Sequence, residues 1–299
     1  MILITGANGH IGRRLIEALA PAGPVRALVR SERAASVIAG PDVDVRVVDY
    51  LDADAMAAAA TGCSHVVHLV GIIRESAGTT FRSAHEDTTR VLLDAAAAAG
   101  VSRLVYLSIL GAEVESANAC LASKARAEAL IGDCALPSLV LRVPMVLGEG
   151  DYASRALYHR ARRRLDIQFR ASSLEQPIYA GDVVNAVLSG IENSADFPVK
   201  LSLDLAGPES LPRSALTRRA AEVMGVRGPI ILSLPVAVGM LLAGLLERLS
   251  GNPPLSRAML GVLDHDDRID PARALTVLSM SLTPLDLTLR HCLVEHPPR

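Results

Sequence analysis

The sequence predicts an α/β protein with a doubly wound parallel sheet and a smaller, mainly helical C-terminal lobe. Three observations carry this. Short β-branched runs alternate with alanine-rich helical patterns through the first half of the chain. A glycine-rich turn, "TGANGHIG", joins the first run to the first helical pattern. After Gly148 the alternation breaks, and from Pro208 onward helical patterns are separated by proline-rich joints. Apolar strands alternating with helices describe βαβ units, in which helices cover both faces of a parallel sheet.

Taken in order, the strand candidates are Ile2–Thr5, Val25–Val29, Val43–Val48, Val66–Val70, Leu104–Leu107 and Leu139–Val143. Their helical partners include Ile11–Leu19, with Ile11, Leu15 and Leu19 on one face, and Phe81–Ala99, which Gly100 stops. "RALYHRARRRLD" reads as a basic helix, "AGDVVNAVLSGIE" as a helix returning to the sheet layer, and "LSLDLAG" as a further strand. The expected division is a Rossmann-type domain over residues 1–150, with 173–207 returning to it. Residues 151–172 and 208–299 form the smaller substrate lobe.

Composition narrows the function. Of 299 residues 50% are hydrophobic and 21% charged, enough for a large core, and the formal net charge is -2. Phosphate backbones need a basic surface, so nucleic acid is not the expected partner. The cysteines Cys63, Cys120, Cys134 and Cys292 contain no CxxC pair, which fits neither a disulfide framework nor zinc and suits a reducing cytoplasm. No leader is expected, because the apolar run starts at residue 2 without a basic segment before it. "LDHDDR" groups Asp264, His265, Asp266 and Asp267, but neighbours on a helix point apart, so no metal site is expected.

The nineteen residues Gly228–Leu246 carry no charge. A membrane-crossing helix needs about 20 residues, and Pro235 divides this run. "PIILSL" then reads as extended and Val236–Leu246 as a helix, with Gly251 as its stop. Apolar on every face, that helix is expected to be buried, with peripheral membrane contact as the alternative.

The glycine turn is the strongest chemical signal. Gly6 permits a tight turn, Gly9 lets backbone amides approach a diphosphate, and Gly12 lets helix and strand pack closely. The diphosphate then lies at the positive end of the helix. Asn8, His10 and Ile11, which fill the turn, count with the glycines as cofactor contacts. At the end of the second strand, where an NAD site carries an acid, this chain has Arg30, then Ser31 and Arg33. A guanidinium can hold a 2′-phosphate on two hydrogen bonds, so NADPH is favoured over NADH.

The GxxGxxG spacing, with "VVDYLD", "VVHLVG", "LVYLSILGA", "SKARAE", "LRVPMVLGEGD" and "PIYAGDVV", resembles the atypical or extended short-chain dehydrogenase/reductase superfamily over nearly the whole chain. Within it, "HLVGIIRE" with the following "F…H" helix, "SILGAE" and "NPPLSRAMLGVLDHDD" are similar to one branch, that of the NADPH-binding accessory subunit of respiratory complex I. The resemblance implies that Asp49 meets the adenine and that Leu69, Val70 and Gly71 line the cofactor. It also implies a Ser or Thr that orients substrate, a Tyr that transfers the proton, and a Lys that lowers the tyrosine's pKa and holds the nicotinamide ribose. Ser108 and Lys124 match the first and last; the tyrosine position is Cys120, twelve residues after Ser108.

A thiolate at Cys120 is conceivable beside a lysine. A cysteine sulfur, however, falls about 3–4 Å short of a tyrosine oxygen, beyond the hydrogen-bond reach that proton transfer needs. Packing is therefore the favoured role, and Tyr106, on the strand face of Ser108, is the phenol nearest the corner.

Three functions stay open. The first is an NADPH-dependent oxidoreductase on a small or lipophilic carbonyl or enone. The second is a non-catalytic NADPH-binding scaffold or assembly protein of a respiratory-type complex. The third is a sugar-nucleotide epimerase or dehydratase. The run Arg160–Arg164 could grip a substrate diphosphate or an anionic lipid surface, or form a solvated helix face, the commoner role of such charge runs.

Overall fold

The structure, a computed structural model, describes residues 1–38, 40, 43–76, 78–193, 195–249, 256–262 and 265–298. The proposed helix stop at Gly251, and Asp264 of the acidic group, lie outside the described residues. The chain divides into two compact units, residues 1–142 with 184–203, and residues 143–183 with 204–299.

The strands of the first half are β1 (Ile2–Thr5), β2 (Val25–Val29), β3 (Val43–Val47), β4 (His65–His68), β5 (Arg103–Ile109) and β6 (Ser138–Val143). Helices α1 (His10–Leu19), α2 (Glu32–Ala35), α3 (Ala53–Ala60), α4 (Thr88–Ala98) and α5 (Ala119–Asp133) alternate with them. The later elements are β7 (Val146–Leu147), α6 (Tyr152–Ala161), β8 (Leu165–Phe169), β9 (Leu174–Glu175), β10 (Ile178–Tyr179), α7 (Ala180–Glu192), β11 (Lys200–Asp204), β12 (Leu211–Pro212) and α8 (Arg213–Val223). They continue as β13 (Ile230–Leu234), α9 (Val236–Leu249), α10 (Arg257–Val262), α11 (Ala272–Leu278) and α12 (Leu285–Arg290).

A seven-stranded sheet has the order β11-β6-β5-β4-β1-β2-β3. The pairs β1–β2, β2–β3, β1–β4 and β4–β5 are parallel. This is the Rossmann-like α/β fold that the alternating runs predict. The chain winds outward from β1 to β3, then crosses back to β4 and winds the other way. β1 and β4 are therefore neighbours at the reversal of winding, where open α/β sheets leave a crevice beyond the strand ends. All five residues of β2 are buried, as expected for a strand covered on both faces. Beneath the sheet, Leu3, Leu28, Met56, Leu92 and Leu104 belong to one apolar cluster with Ile131.

Three local expectations need correction. Phe81–Ala99 is not one regular helix: Arg82–Asp87 form a π-turn before α4 starts at Thr88. The basic helix ends at Ala161, short of Arg162–Arg164, and "LD" opens β8 instead. Helix α9 forms where expected but is not buried, since Leu241 is 74% and Leu245 55% exposed. Its inward face holds Gly239 and Ala243, and small residues on one side let the helix pack there while its leucines face out. No helix among the described residues is long and apolar enough to cross a membrane.

Candidate cofactor and catalytic site

Every residue singled out for the site belongs to the first unit. Register places Thr5 opposite His68, so the turn after β1 and the loop after β4 leave the sheet side by side. Gly6 has φ +69°, a left-handed conformation that side chains rarely adopt, and a Cβ there would stand 3.1 Å from the Leu69 carbonyl carbon. At Gly12 a Cβ would lie 2.6 Å from the Ala7 carbonyl oxygen, with backbone that cannot swing aside. Gly9 caps α1 without a side-chain hydrogen bond, and the first turn holds no acid. The helix-start amides are thus not taken by a cap and carry the partial positive charge that suits a diphosphate. The arrangement fits a dinucleotide cofactor.

One part of this turn was not anticipated. Tyr50, 3% exposed, donates to the Leu28 carbonyl at 2.6 Å and accepts from the Gly6 amide at 2.9 Å. It ties β2 to the glycine turn, and burial pushes its phenol up to about 12. The "VVDYLD" run contains Tyr50, but nothing in its spacing tells which way a tyrosine after a strand points.

Arg30 follows β2 directly and is exposed, with one long contact from Nη1 to Thr79 Oγ1 at 3.4 Å. Ser31 caps α2, its hydroxyl accepting from the Ala34 amide at 3.2 Å. Asp49 is exposed two residues past β3 and accepts from the Leu51 amide at 3.0 Å. Leu69, Val70 and Gly71 form the loop after β4, with the Leu69 amide held by the Thr5 carbonyl at 3.2 Å.

The α5 corner is built differently. Asn118 caps α5 by accepting from the Cys120 and Leu121 amides, which points the first turn at the β4 loop. Cys120, 2% exposed, donates its thiol to the Ile72 carbonyl at 3.4 Å, and burial raises its pKa to about 11. Lys124, 8% exposed, donates to Tyr106 Oη at 3.0 Å, to the Leu107 carbonyl at 3.0 Å and to the Val70 carbonyl at 3.4 Å. Its three ammonium hydrogens are thereby matched by three acceptors. Burial lowers its pKa to about 8. Ser108 donates to Glu128 Oε1 at 2.5 Å, and Glu128 is in turn gripped by Arg142 at 2.5 Å. The structure thus brings Cys120, Lys124 and Tyr106 together around the β4 and β5 ends, while Ser108 is engaged with Glu128. Glu128 and Arg142 were missed, since partners on another helix and strand leave no local signal.

Two buried histidines complete the corner. The Ile72 amide donates to His85 Nε2 at 3.0 Å, which fixes the tautomer, so Nδ1 carries the proton toward Ser123 Oγ at 2.8 Å. Thr89 Oγ1 donates to the His85 carbonyl, so it accepts from His68 Nε2 at 3.0 Å, and His68 Nδ1 accepts from Thr5 Oγ1 at 2.6 Å. Burial, aided by the Lys124 charge, depresses both imidazoles to about 3. The π-turn at Arg82–Asp87 is what carries His85 to this position, a common use of such turns. Among the described residues no cluster could hold a metal.

Residues 6–165, more than half of the chain, match the family described as NAD(P)H-binding. The chain belongs to this NAD(P)H-binding family. The expected resemblance to short-chain dehydrogenase/reductase proteins is borne out by its relatives. The NAD(P)H-binding protein is 29% identical to the ceramide reductase of Caulobacter vibrioides, over 82% of this chain and 77% of that protein. It is 26% identical to an Arabidopsis thaliana protein, the mitochondrial NADH dehydrogenase (ubiquinone) 1 alpha subcomplex subunit 9. That match covers 74% of this chain and only 56% of the relative. In fold it is similar to UDP-glucuronic acid 4-epimerase from Bacillus cereus in complex with NAD, with a TM-score of 0.74. The two share 17% identity over 97% of this chain and 96% of that one.

Proposed function

We propose that this NAD(P)H-binding protein is a cytoplasmic NADPH-dependent reductase of a small or lipophilic carbonyl or enone, in which Cys120 replaces the usual tyrosine and serves packing. The glycine turn carries the reading: Gly6 at φ +69° makes the tight turn, Gly12 against the Ala7 carbonyl sets α1 close on β1, and the α1 start without a side-chain cap is left for a diphosphate. Similarity to a protein named for ceramide reduction favours the lipophilic class. When bound, the nicotinamide cofactor supplies the hydride.

The residues present would divide the rest of the work. The α1 amides, Gly9 and the exposed Asn8–His10 turn hold the diphosphate, and Ile11 and Gly12 set helix α1 against β1. Arg30, free of any carboxylate partner among the described residues, meets the 2′-phosphate, Ser31 supports it, and Asp49 faces the adenine. Leu69, Val70 and Gly71 wall the nicotinamide. Lys124 fixes the Val70 and Leu107 carbonyls from below and would reach the ribose only by giving up one of them. Ser108 would have to turn its proton from Glu128 to orient a substrate oxygen. With Tyr106 fully buried under Lys124 and the Cys120 thiol held near 11, water is the proton source.

The inward commitment of Lys124 and Cys120 favours a second reading, an NADPH-binding scaffold without turnover, in keeping with the respiratory-subunit relative. The sugar-nucleotide reading is supported by fold likeness and by 27% identity, over 68% of this chain, to a protein named as a UDP-2-acetamido-2,6-beta-L-arabino-hexul-4-ose reductase.

Fluorescence titration with NADPH and NADH, followed by NADPH oxidation with a panel of alkyl aldehydes, ketones and enones, separates these. NADPH should bind more tightly, and Arg30→Asp should cost it about 10–100-fold, the worth of a charged hydrogen bond. Equal affinities before and after the change remove the NADPH assignment. Tight binding with no turnover on any substrate leaves the scaffold.

A further inference from the structure

In the second unit, two apolar tracts lie open to solvent and adjoin through Pro235. One is the outer face of the β8–β13 pair, where Leu165 is paired with Ile230 and Ile167 with Leu232. All four are exposed, Ile230 to 74%, while Asp166 and Gln168 between them turn inward. The other is α9, which packs Gly239 toward Phe169 and Leu260 and leaves Val238, Leu241, Leu242 and Leu245 outside. Their i, i+3, i+4, i+7 spacing makes one stripe. Single exposed leucines need no explanation, but a register-matched quartet continued by a helical stripe does.

The edge of this surface is basic. Arg162, Arg163 and Arg164 are exposed and lead directly into Leu165. The Ile230 amide donates to the Arg164 carbonyl at 3.0 Å, which brings the exposed Arg227 to the same strand end. Arg163 approaches Asp166 at 3.7 Å, and Arg162 stacks on Tyr158 at 5.2 Å. Among the described residues, Arg162, Arg164 and Arg227 form no ion pair. The acid at the end of the helical tract, Glu247, is turned back to accept from the Arg257 amide at 2.7 Å. The positive charge is local, since the whole chain has a formal net charge of -2.

We propose that this face docks peripherally on an anionic lipid bilayer, its leucines and isoleucines entering the headgroup boundary and its arginines meeting lipid phosphates. Apolar side chains next to unpaired arginines are what such a surface recognises. Charge complementarity commits this face to lipid, and a second copy of the chain is an outcome of the test below. The proposal is independent of the cofactor reading, since the glycine turn lies in the other unit.

Co-sedimentation of the full chain with phosphatidylcholine vesicles, with and without phosphatidylglycerol, tests it. Binding should require the anionic lipid and fall with added salt. Arg162→Gln, Arg164→Gln and Arg227→Gln together should weaken it about 100-fold, at roughly fivefold per charge near an anionic surface. Leu241→Ser with Leu245→Ser should weaken it about tenfold and leave the salt dependence unchanged. Both variants should keep the wild-type melting temperature and NADPH affinity, which separates a lost surface from a lost fold. Failure of the wild-type chain to bind anionic vesicles would overturn the proposal. So would unchanged binding by either variant, or a dimer that Leu241→Ser dissolves without any vesicle binding.

Discussion

The glycine turn after β1 and the polar corner under α5 stand at adjacent strand ends, yet they are made of different material. The turn is backbone. Gly6, Gly9 and Gly12 contribute no side chains, and a Cβ at any of them would meet backbone within 3.2 Å. The corner is side chains, and nearly all of their polar atoms are turned on one another. Lys124 meets Tyr106 and two carbonyls, Cys120 meets Ile72, and His85 joins Ile72 to Ser123. A site that must admit a ligand keeps its donors open, whereas a site that must hold two loops in place spends them. The Gly6 and Gly9 amides are held by Tyr50 and by the Gly6 carbonyl, so the open donors of the turn are those at the α1 start. On the proposed reading the turn is the binding surface and the corner mainly its foundation.

The sharpest way to break this contrast is Gly12→Val. Its Cβ would start 2.6 Å from the Ala7 carbonyl oxygen, which is backbone and cannot rotate away. Overpacking costs about 1–3 kcal/mol, so NADPH affinity should fall roughly 100-fold where the bound geometry bears that cost. Titration of the variant checks it, and wild-type affinity would mean that helix and strand need not approach so closely. Lys124→Met comes next. It strands the Val70 and Leu107 carbonyls and Tyr106 Oη, at about 1–3 kcal/mol for each unsatisfied group, partly offset by removing a buried charge. A net loss of about 2 kcal/mol in urea unfolding is expected. Reduced NADPH affinity at unchanged stability would instead make Lys124 a ligand contact first.

The histidines give the corner a pH signature. His68 and His85 are held near 3 against an ordinary value of 6.5. Between those limits the unfolded chain takes up protons that the folded one refuses. The stability they contribute is therefore complete above pH 6.5 and is lost as pH falls toward 3. The slope is about 1.4 kcal/mol per pH unit for each histidine. Urea midpoints measured between pH 7 and pH 4 should fall steeply for the wild type and less steeply for His85→Asn. Parallel curves for the two would show that His85 titrates normally in the folded protein.

The same contrast explains what could be read from the sequence. Glycine spacing, the β-branched runs and the α7 and β11 patterns are local, and they place the other sheet strands and α7 within two residues of where they lie and β11 within three. The corner's partners are not local: Ser108 finds Glu128 twenty residues on, and Lys124 reaches back to Val70. Burial of α9 was misjudged because an apolar helix looks the same whether its leucines face the core or solvent. What decides is which face carries Gly239 and Ala243, and Gly239 is received by Phe169 and Leu260, which no local pattern announces.

The smallest expected effect is the most informative about the corner. Cys120→Ala removes a buried sulfur and one weak hydrogen bond to the Ile72 carbonyl. That carbonyl stays near the His85 network, and the lost volume is a single atom, so stability should drop by about 1 kcal/mol or less. NADPH affinity, and any carbonyl reduction, should stay within about twofold of wild type, since removing a general acid would cost 10²–10⁴-fold. The pH profile of turnover should also be the same in both proteins. A thiol held near 11 is neutral throughout the working range and contributes no titration there. If Cys120→Ala abolished turnover while leaving NADPH affinity intact, the sulfur would be the proton donor, and the corner would belong with the glycine turn as working surface.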